Sequence, residues 1–324
     1  MEKYLHKCLD SLIVSDENMN LLEVLIINDG SKDSSSQIAH EYEIKYPQTF
    51  RVIDKENGNY GSCVNRGIAE AKGKYIKVLD ADDSFDTHEF SSFISDITSI
   101  DVDMIISDFR IINLDDEILE YKKFDLLKNT PIPIHEVCSR PSFLSMQMHA
   151  VTYKRKMLTN MSYHQTEGIS YTDQEWVFYP ITEVNIIYYS PRCVYRYLVG
   201  REGQTMSNEL LIRNISHTIK GTLKMVSYYS KLQIKSKEKE VYLIARIKQR
   251  LKYIYNKFLL ENSKLPISQL VEVDSQLHSI SSDIYDISNS IIISSKFKYR
   301  FIFHWRKEKR NTLIITLYKA LMRK

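Results

Sequence analysis

An α/β architecture is what this 324-residue sequence predicts: a doubly wound, mostly parallel sheet followed by a helical C-terminal extension. Three observations carry that expectation. Through the first hundred residues, short apolar runs rich in branched side chains alternate with helical stretches, as strands joined by crossovers do. Two of those runs end directly in acidic clusters, and strand ends are where parallel sheets hold ligands. From about residue 208 onward the strand signal stops and apolar residues recur at helical spacing.

Taken in order, Leu5, Cys8, Leu9 and Leu12 give the first helix, over Tyr4–Leu12. Leu21–Ile27 reads as a strand covered on both faces, ending in Asn28-Asp29-Gly30-Ser31. Asp33 or Ser34 caps a helix that Pro47 stops. Phe50–Asp54 is a second strand, Asn57–Gly61 a turn, and Ser62–Ala71 a helix closed by Gly73. Tyr75–Leu79 is a third strand, running into Asp80-Ala81-Asp82-Asp83. A helix from Thr87 precedes a fourth strand at Asp103–Ser107. The stretch 109–205 is less regular, with strands at Ile186–Tyr189 and Cys193–Tyr197. Leu211 to Val226 and Val241 to Ile254 predict two helices, and Ser263–Ser290 a looser connection.

Hydrophobic residues make up 43% and charged residues 26%, a globular mixture, and only 9 Gly and 7 Pro exclude collagen-like or low-complexity chains. The formal charge of +3 hides an asymmetry. Residues 291–324 hold ten Lys/Arg against the single acid Glu308, whereas residues 1–290 hold 34 basic and 40 acidic groups. An acidic body of that kind argues against a nucleic-acid partner. Four dispersed cysteines (Cys8, Cys63, Cys138, Cys193) form no C-x-x-C pair, which suits a reducing compartment. No apolar run has bilayer length and the N-terminus has no signal-peptide core, so the expectation is a cytoplasmic protein, soluble or peripheral.

The two acidic clusters carry the chemistry. Asp29 followed by Gly30-Ser31 offers a hydrogen-bond acceptor with room for a ligand to approach. Asp80, Asp82 and Asp83 repel one another unless a cation neutralises them, and such oxygen clusters suit Mg²⁺ or Mn²⁺ shared with phosphate oxygens. Read singly, Asp83-Ser84 also suits a helix start and Asn28-Asp29-Gly30 a simple turn.

The stretches EVLIINDGSKDSSSQIAHEY, FRVIDKENGNYGSCVNRGIAEAKGKYIKVLDADD, EGISYTDQEWVFYP and VYRYLVGREGQTMS closely resemble family 2 glycosyltransferases of the GT-A fold, a Rossmann-like α/β fold. The resemblance covers about residues 2–207. It implies a glycosyltransferase domain over 1–207, with a nucleotide-binding half at 1–108 and an acceptor half at 109–207. Residues 208–324 then form a helical region with a basic, aromatic tail. The implied function is inverting transfer from a nucleotide sugar, UDP-linked, to a hydroxyl of a glycan or lipid-linked acceptor in bacterial surface-polysaccharide synthesis.

Residue by residue, the resemblance gives Asp29 the nucleotide base and puts Asn57, Asn59 and Asn65 along the nucleotide pocket. Asp80 and Asp82 match the D-x-D motif, with Asp82 holding a Mn²⁺ or Mg²⁺ ion, Asp80 facing the ribose or sugar, and Asp83 assisting. Asp173 falls at the catalytic base, although Thr172 stands where many relatives have Glu. Arg196 and Arg201 match a basic segment that closes over the diphosphate, with Gln204 and Ser207 nearby. A carboxylate base and cationic groups on a departing diphosphate are what an inverting transfer needs. Outside the match, Asp173 also suits a helix cap, and the two arginines suit a surface. His149 is either a third metal ligand or acceptor contact, or a packed histidine; His164 carries less still.

Relatives begin with an apolar strand ahead of the helix that starts here at Glu2. The expectation is that its neighbours keep unpaired backbone edges, through truncation or decay, and that nucleotide binding suffers. The alternative function is accordingly a truncated or decayed, inactive transferase acting as a membrane-peripheral interaction protein. In 291–324, aromatics interleave with cations: Phe297, Tyr299, Phe301, Phe303 and Trp305 among Lys296, Lys298, Arg300, Arg306 and Lys307. That pattern fits an anionic bilayer at the inner face of the plasma membrane, and equally a helix packing one apolar face inward.

Overall fold

The computed structural model describes residues 1–201, 208–261, 265–294, 296–310 and 312–322. Gln204 and Ser207 lie outside them. The chain forms two compact units, Met1–Gln204 and Thr205–Lys324.

The first unit is α/β. Strand β1 (Val24–Asp29) pairs in parallel with β2 (Phe50–Lys55), and the Ser35–Lys45 helix crosses between them. A separate seven-stranded sheet contains β3 (Tyr75–Lys77), β4 (Ser84–Phe85), β5 (Met104–Ile112), β6 (Ile118–Lys122), β7 (Pro131–Pro133), β8 (Val151–Lys154) and β9 (Ile186–Leu198). Its path is β3-β8-β5-β9-β4, with β6 on β5 and β7 on β9. Only β5–β9 is parallel in this sheet. The α/β class is as expected, but the pairing is mixed, because β8 inserts antiparallel between β3 and β5. A strand contributed from some 45 residues downstream leaves no local trace beside its partners.

Burial explains the sequence pattern. Met104, Ile105 and Ile106 are fully buried at the start of β5, where the strand is covered on both faces and therefore reads as an apolar run. In contrast, all six residues of β1 and all three of β3 are half-buried. Among the described residues, β1 pairs only with β2 and β3 only with β8, so each keeps a free edge.

The second unit is helical. Helices Ile215–Lys231 and Lys237–Asn256 match the two expected from apolar spacing, and the latter continues into a π-helical turn over Lys257–Glu261. The looser connection expected over 263–290 is instead two helices, Ile267–Ile280 and Ser282–Ser288. Leu270, Val273 and Leu277 turn one apolar stripe into the core, and Ser281 caps the second helix by accepting from the Ile284 amide. Asp274 is fully buried but paired, accepting from Arg306 Nε at 2.8 Å and Tyr255 Oη at 2.5 Å. Two of the tail aromatics, Phe301 and Trp305, take the inward-packing alternative. Phe301, Ile302 and Trp305 in the Phe301–Glu308 helix are buried within this unit and cannot enter a bilayer. No described helix is long and apolar enough to cross a membrane.

Candidate functional site

Two ligand-facing clusters form at the strand ends. At the end of β1, Asp29 accepts from Lys55 Nζ at 2.5 Å, from the Gly58 amide at 2.9 Å and from Asn57 Nδ2 at 3.1 Å. Burial opposes its ionisation, but the Lys55 ammonium and the Gly58 amide win and hold its carboxyl below the usual range. Gly30, at φ +70°, makes the turn after Asp29, and a Cβ there would stand 3.3 Å from the Asn57 amide. Asn59, at φ +65°, starts the Asn59–Glu70 helix three residues earlier than expected.

Asn65, on that helix, is engaged elsewhere. Its Nδ2 donates to the Gln165 carbonyl at 2.9 Å and to Glu167 Oε1 at 2.8 Å, and its Oδ1 accepts from the Gln165 amide at 2.8 Å. His164 lies beside it at 3.4 Å. Asn65 therefore ties the helix to the 164–167 segment. Gly61 allows that approach, since a Cβ there would meet the Thr166 carbonyl oxygen at 2.0 Å.

Beyond β3 lies the acidic cluster. Asp83 is buried, accepting from Tyr195 Oη at 2.6 Å and from the Leu198 amide at 2.7 Å. The Asp80 amide donates to the same Tyr195 oxygen at 3.2 Å. One carboxylate oxygen each from Asp80 and Asp83 and one ring nitrogen of His149 lie within 4.8 Å of one another. His149 stacks on Tyr197 at 4.3 Å, and its Nδ1 is buried with no hydrogen-bond partner. It is thus a packed histidine that stands beside two carboxyl groups. Burial, then the Lys77 ammonium, pushes its pKa down to about 3, leaving a neutral imidazole.

Asp80 is pushed up to about 7 by burial first, then by the Asp82 and Asp173 charges. Burial, then the charges of Asp80 and Asp82, raises Asp83 as well. Two buried carboxyl groups beside an imidazole nitrogen without a hydrogen-bond partner have the chemistry to hold a divalent cation. Asp82, the residue expected to hold that ion, instead pairs with Arg201 Nε, whose guanidinium also lies over the Tyr4 ring at 5.9 Å.

Asp173 begins the short Asp173–Trp176 helix, with its Oδ2 accepting from Gln174 Nε2 at 2.9 Å. That helix is braced by buried Glu175, which accepts from the Thr166 amide at 2.8 Å and Thr166 Oγ1 at 2.6 Å. Gln165 Nε2 also donates to the Thr172 carbonyl at 2.7 Å. Arg196 does not join the acids. Its Nη2 donates to Asp116 Oδ1 at 2.8 Å, while its neighbours Tyr195 and Tyr197 reach Asp83 and His149. Alternation along β9 puts Arg196 on the other face.

Sequence reasoning missed Lys77, Glu175 and Gln165. Lys77 is recessed at the end of β3 and donates to the His149 carbonyl at 2.7 Å, and burial pushes its pKa down to about 7. A lysine interrupting YIKVLD was the only signal available for it. Glu175 and Gln165 gave none, because ordinary polar residues near a turn look solvent-exposed.

The family model described as "Glycosyl transferase family 2" matches residues 1–160. The uncharacterized glycosyltransferase MG025 homolog of Mycoplasma pneumoniae is 40% identical over 109 residues, 33% of this chain and 35% of that protein. The minor teichoic acid biosynthesis protein GgaB of Bacillus subtilis is 36% identical over 83 residues, 26% of this chain and 9% of its own. The aligned segments thus span about a third or less of these relatives. The structure of S. aureus TarS 1–349 in complex with UDP-GlcNAc superposes with a TM-score of 0.72 at 17% identity, covering 98% of this chain and 86% of that one. That likeness establishes the fold.

Proposed function

We propose, from the match of residues 1–160 to glycosyl transferase family 2, that the chain transfers a sugar, with inversion, from a nucleotide-sugar donor to a hydroxyl of a surface-polymer or lipid-linked acceptor. The observation that carries the reading is the convergence of Asp80, Asp83 and His149, with Asp173 near enough for its charge to raise Asp80. A UDP-linked donor is supported by the shared fold of a UDP-GlcNAc complex. A surface polymer is supported by the likeness to a teichoic acid biosynthesis protein.

In this reading the Asp29–Asn57 cluster receives the base, and Asp80, Asp83 and His149 hold Mn²⁺ or Mg²⁺. Bound there, such an ion supplies positive charge for the diphosphate. Asp173 takes the proton of the acceptor hydroxyl as that oxygen attacks the anomeric carbon. The bond from that carbon to the diphosphate oxygen breaks on the opposite face, which inverts the centre. Arg201, leaving Asp82, meets the charge that builds on the departing group.

The test is a donor screen with Mn²⁺ and candidate acceptors, with the anomeric configuration of the product read by NMR. Asp173→Asn is expected to lower kcat by about 10²- to 10⁴-fold while nucleotide affinity is kept. Unchanged turnover in that variant, or a retained anomeric configuration, would overturn the assignment.

A further inference from the structure

The last helix, Leu313–Met322, is apolar on two sides. Ile315 and Tyr318 are buried, and the Tyr318 ring meets Phe301 at 5.4 Å and Phe297 at 5.9 Å. On the outer side Leu313, Ile314 and Leu317 are 76%, 45% and 53% exposed, and Phe297 beside the helix is 51% exposed. A helix with apolar residues all round is ordinarily covered all round. Among the described residues, nothing buries Leu313, Ile314 and Leu317 on its outer face.

Charge identifies the occupant. Lys296, Lys298, Arg300, Lys307 and Lys309, in the segment that leads into this helix, are exposed. Arg310 pairs at 3.0 Å with Glu308, the one acid of residues 291–324. A second copy of the chain would bring a like-charged surface against this one. A nucleic acid would meet the cations but leave the leucines in water. A bilayer with anionic headgroups answers both features, since acyl chains receive Leu313, Ile314, Leu317 and Phe297 while headgroups receive the cations.

We propose that the outer face of the Leu313–Met322 helix, with the cations of the segment that leads into it, docks the chain on an anionic lipid surface. The proposal does not depend on the transferase reading. It also differs from the sequence expectation in its anchors, because Trp305 and Phe301 are core and the docking side chains are mainly aliphatic.

The test is co-sedimentation of the full chain with vesicles of phosphatidylcholine alone and of phosphatidylcholine with phosphatidylglycerol. Binding is expected only to the anionic vesicles and should weaken with added salt. The double variant Leu313→Ser/Leu317→Ser, altered only at exposed positions, should bind at least tenfold more weakly. So should Lys307→Gln/Lys309→Gln. Ile44→Ser, 79% exposed in the first unit, should bind as the parent does. No binding to anionic vesicles, equal binding to both vesicles, or binding indifferent to both double variants overturns the proposal. So does a dimer in sedimentation velocity that Leu313→Ser/Leu317→Ser disperses, or nucleic-acid retention that it leaves intact.

Discussion

Two glycines in one helix give opposite predictions for the same substitution. Gly61 and Gly67 both lie within Asn59–Glu70. An alanine Cβ at Gly67 would have nothing within 4 Å, so Gly67→Ala should gain helix propensity, about 1 kcal/mol. At Gly61 the new Cβ would stand 2.0 Å from the Thr166 carbonyl oxygen and 2.8 Å from its carbon. Those are backbone atoms, and side-chain carbons do not approach such atoms closer than about 3 Å, so the 165–166 segment must move by about 1 Å. Overpacking of that kind costs about 1–3 kcal/mol, which exceeds the propensity gain and leaves a net loss. In a unit of 204 residues each kcal/mol shifts Tm by about 2–4 °C. Gly67→Ala should therefore raise Tm by a few degrees and Gly61→Ala should lower it, both by calorimetry. The displaced segment holds Glu175 through the Thr166 amide and hydroxyl, and Glu175 shares a helix with Asp173. A shift of that size at a positioned catalytic group costs up to about 100-fold in turnover. A Gly61→Ala protein as stable as Gly67→Ala would refute the packing argument. A destabilised one with parental kcat would refute the coupling to Asp173.

The remaining predictions concern charge. Asp108 is buried, accepts from Tyr189 Oη at 2.9 Å, and is pushed up to about 6 by burial. The native state then keeps a proton that the unfolded chain releases near pH 4, so stability falls as pH rises from about 4 to 6, by at most about 3 kcal/mol. Asp108→Asn should raise Tm above pH 6 and match the parent below about pH 4; a difference independent of pH would contradict this. Arg201 pairs with Asp82 beside the cluster, and in the proposed reading its positive charge opposes a divalent ion there. Arg201→Ala should bind Mn²⁺ roughly tenfold more tightly without nucleotide, about 1.4 kcal/mol, and a nucleoside diphosphate more weakly. Titration calorimetry showing unchanged or weaker Mn²⁺ binding would rule that opposition out.

The sequence by itself determined the features that depend on near neighbours. Strands form within LLEVLII and YIKVL, at Val24–Asp29 and Tyr75–Lys77, because branched apolar runs bounded by turn residues suit a sheet, and Asp29 and Asp80 lie at or just past their ends. The helices of 215–256 follow from spacing alone. The Ser263–Ser290 segment misled because its many Ser and Asp residues masked a stripe of only a few apolar positions, Leu270, Val273 and Leu277.

Only the tertiary structure decided which groups meet. His149 reaches Asp80 and Asp83 from some 70 residues away, and β8 follows it in between the partners expected to adjoin. Arg196 and Tyr195 part company because neighbours on a strand face opposite sides, and the register of β9 on β5, shifted at Ser107/Asp108 and again at Asp108/Phe109, sets what each side meets. Trp305 is core and Leu317 is surface although both belong to the same basic, apolar tail. Local sequence fixes how a segment bends and which side chains share a face. What that face meets depends on long-range pairing and burial, where a one-residue slip in register sends every side chain to the opposite side.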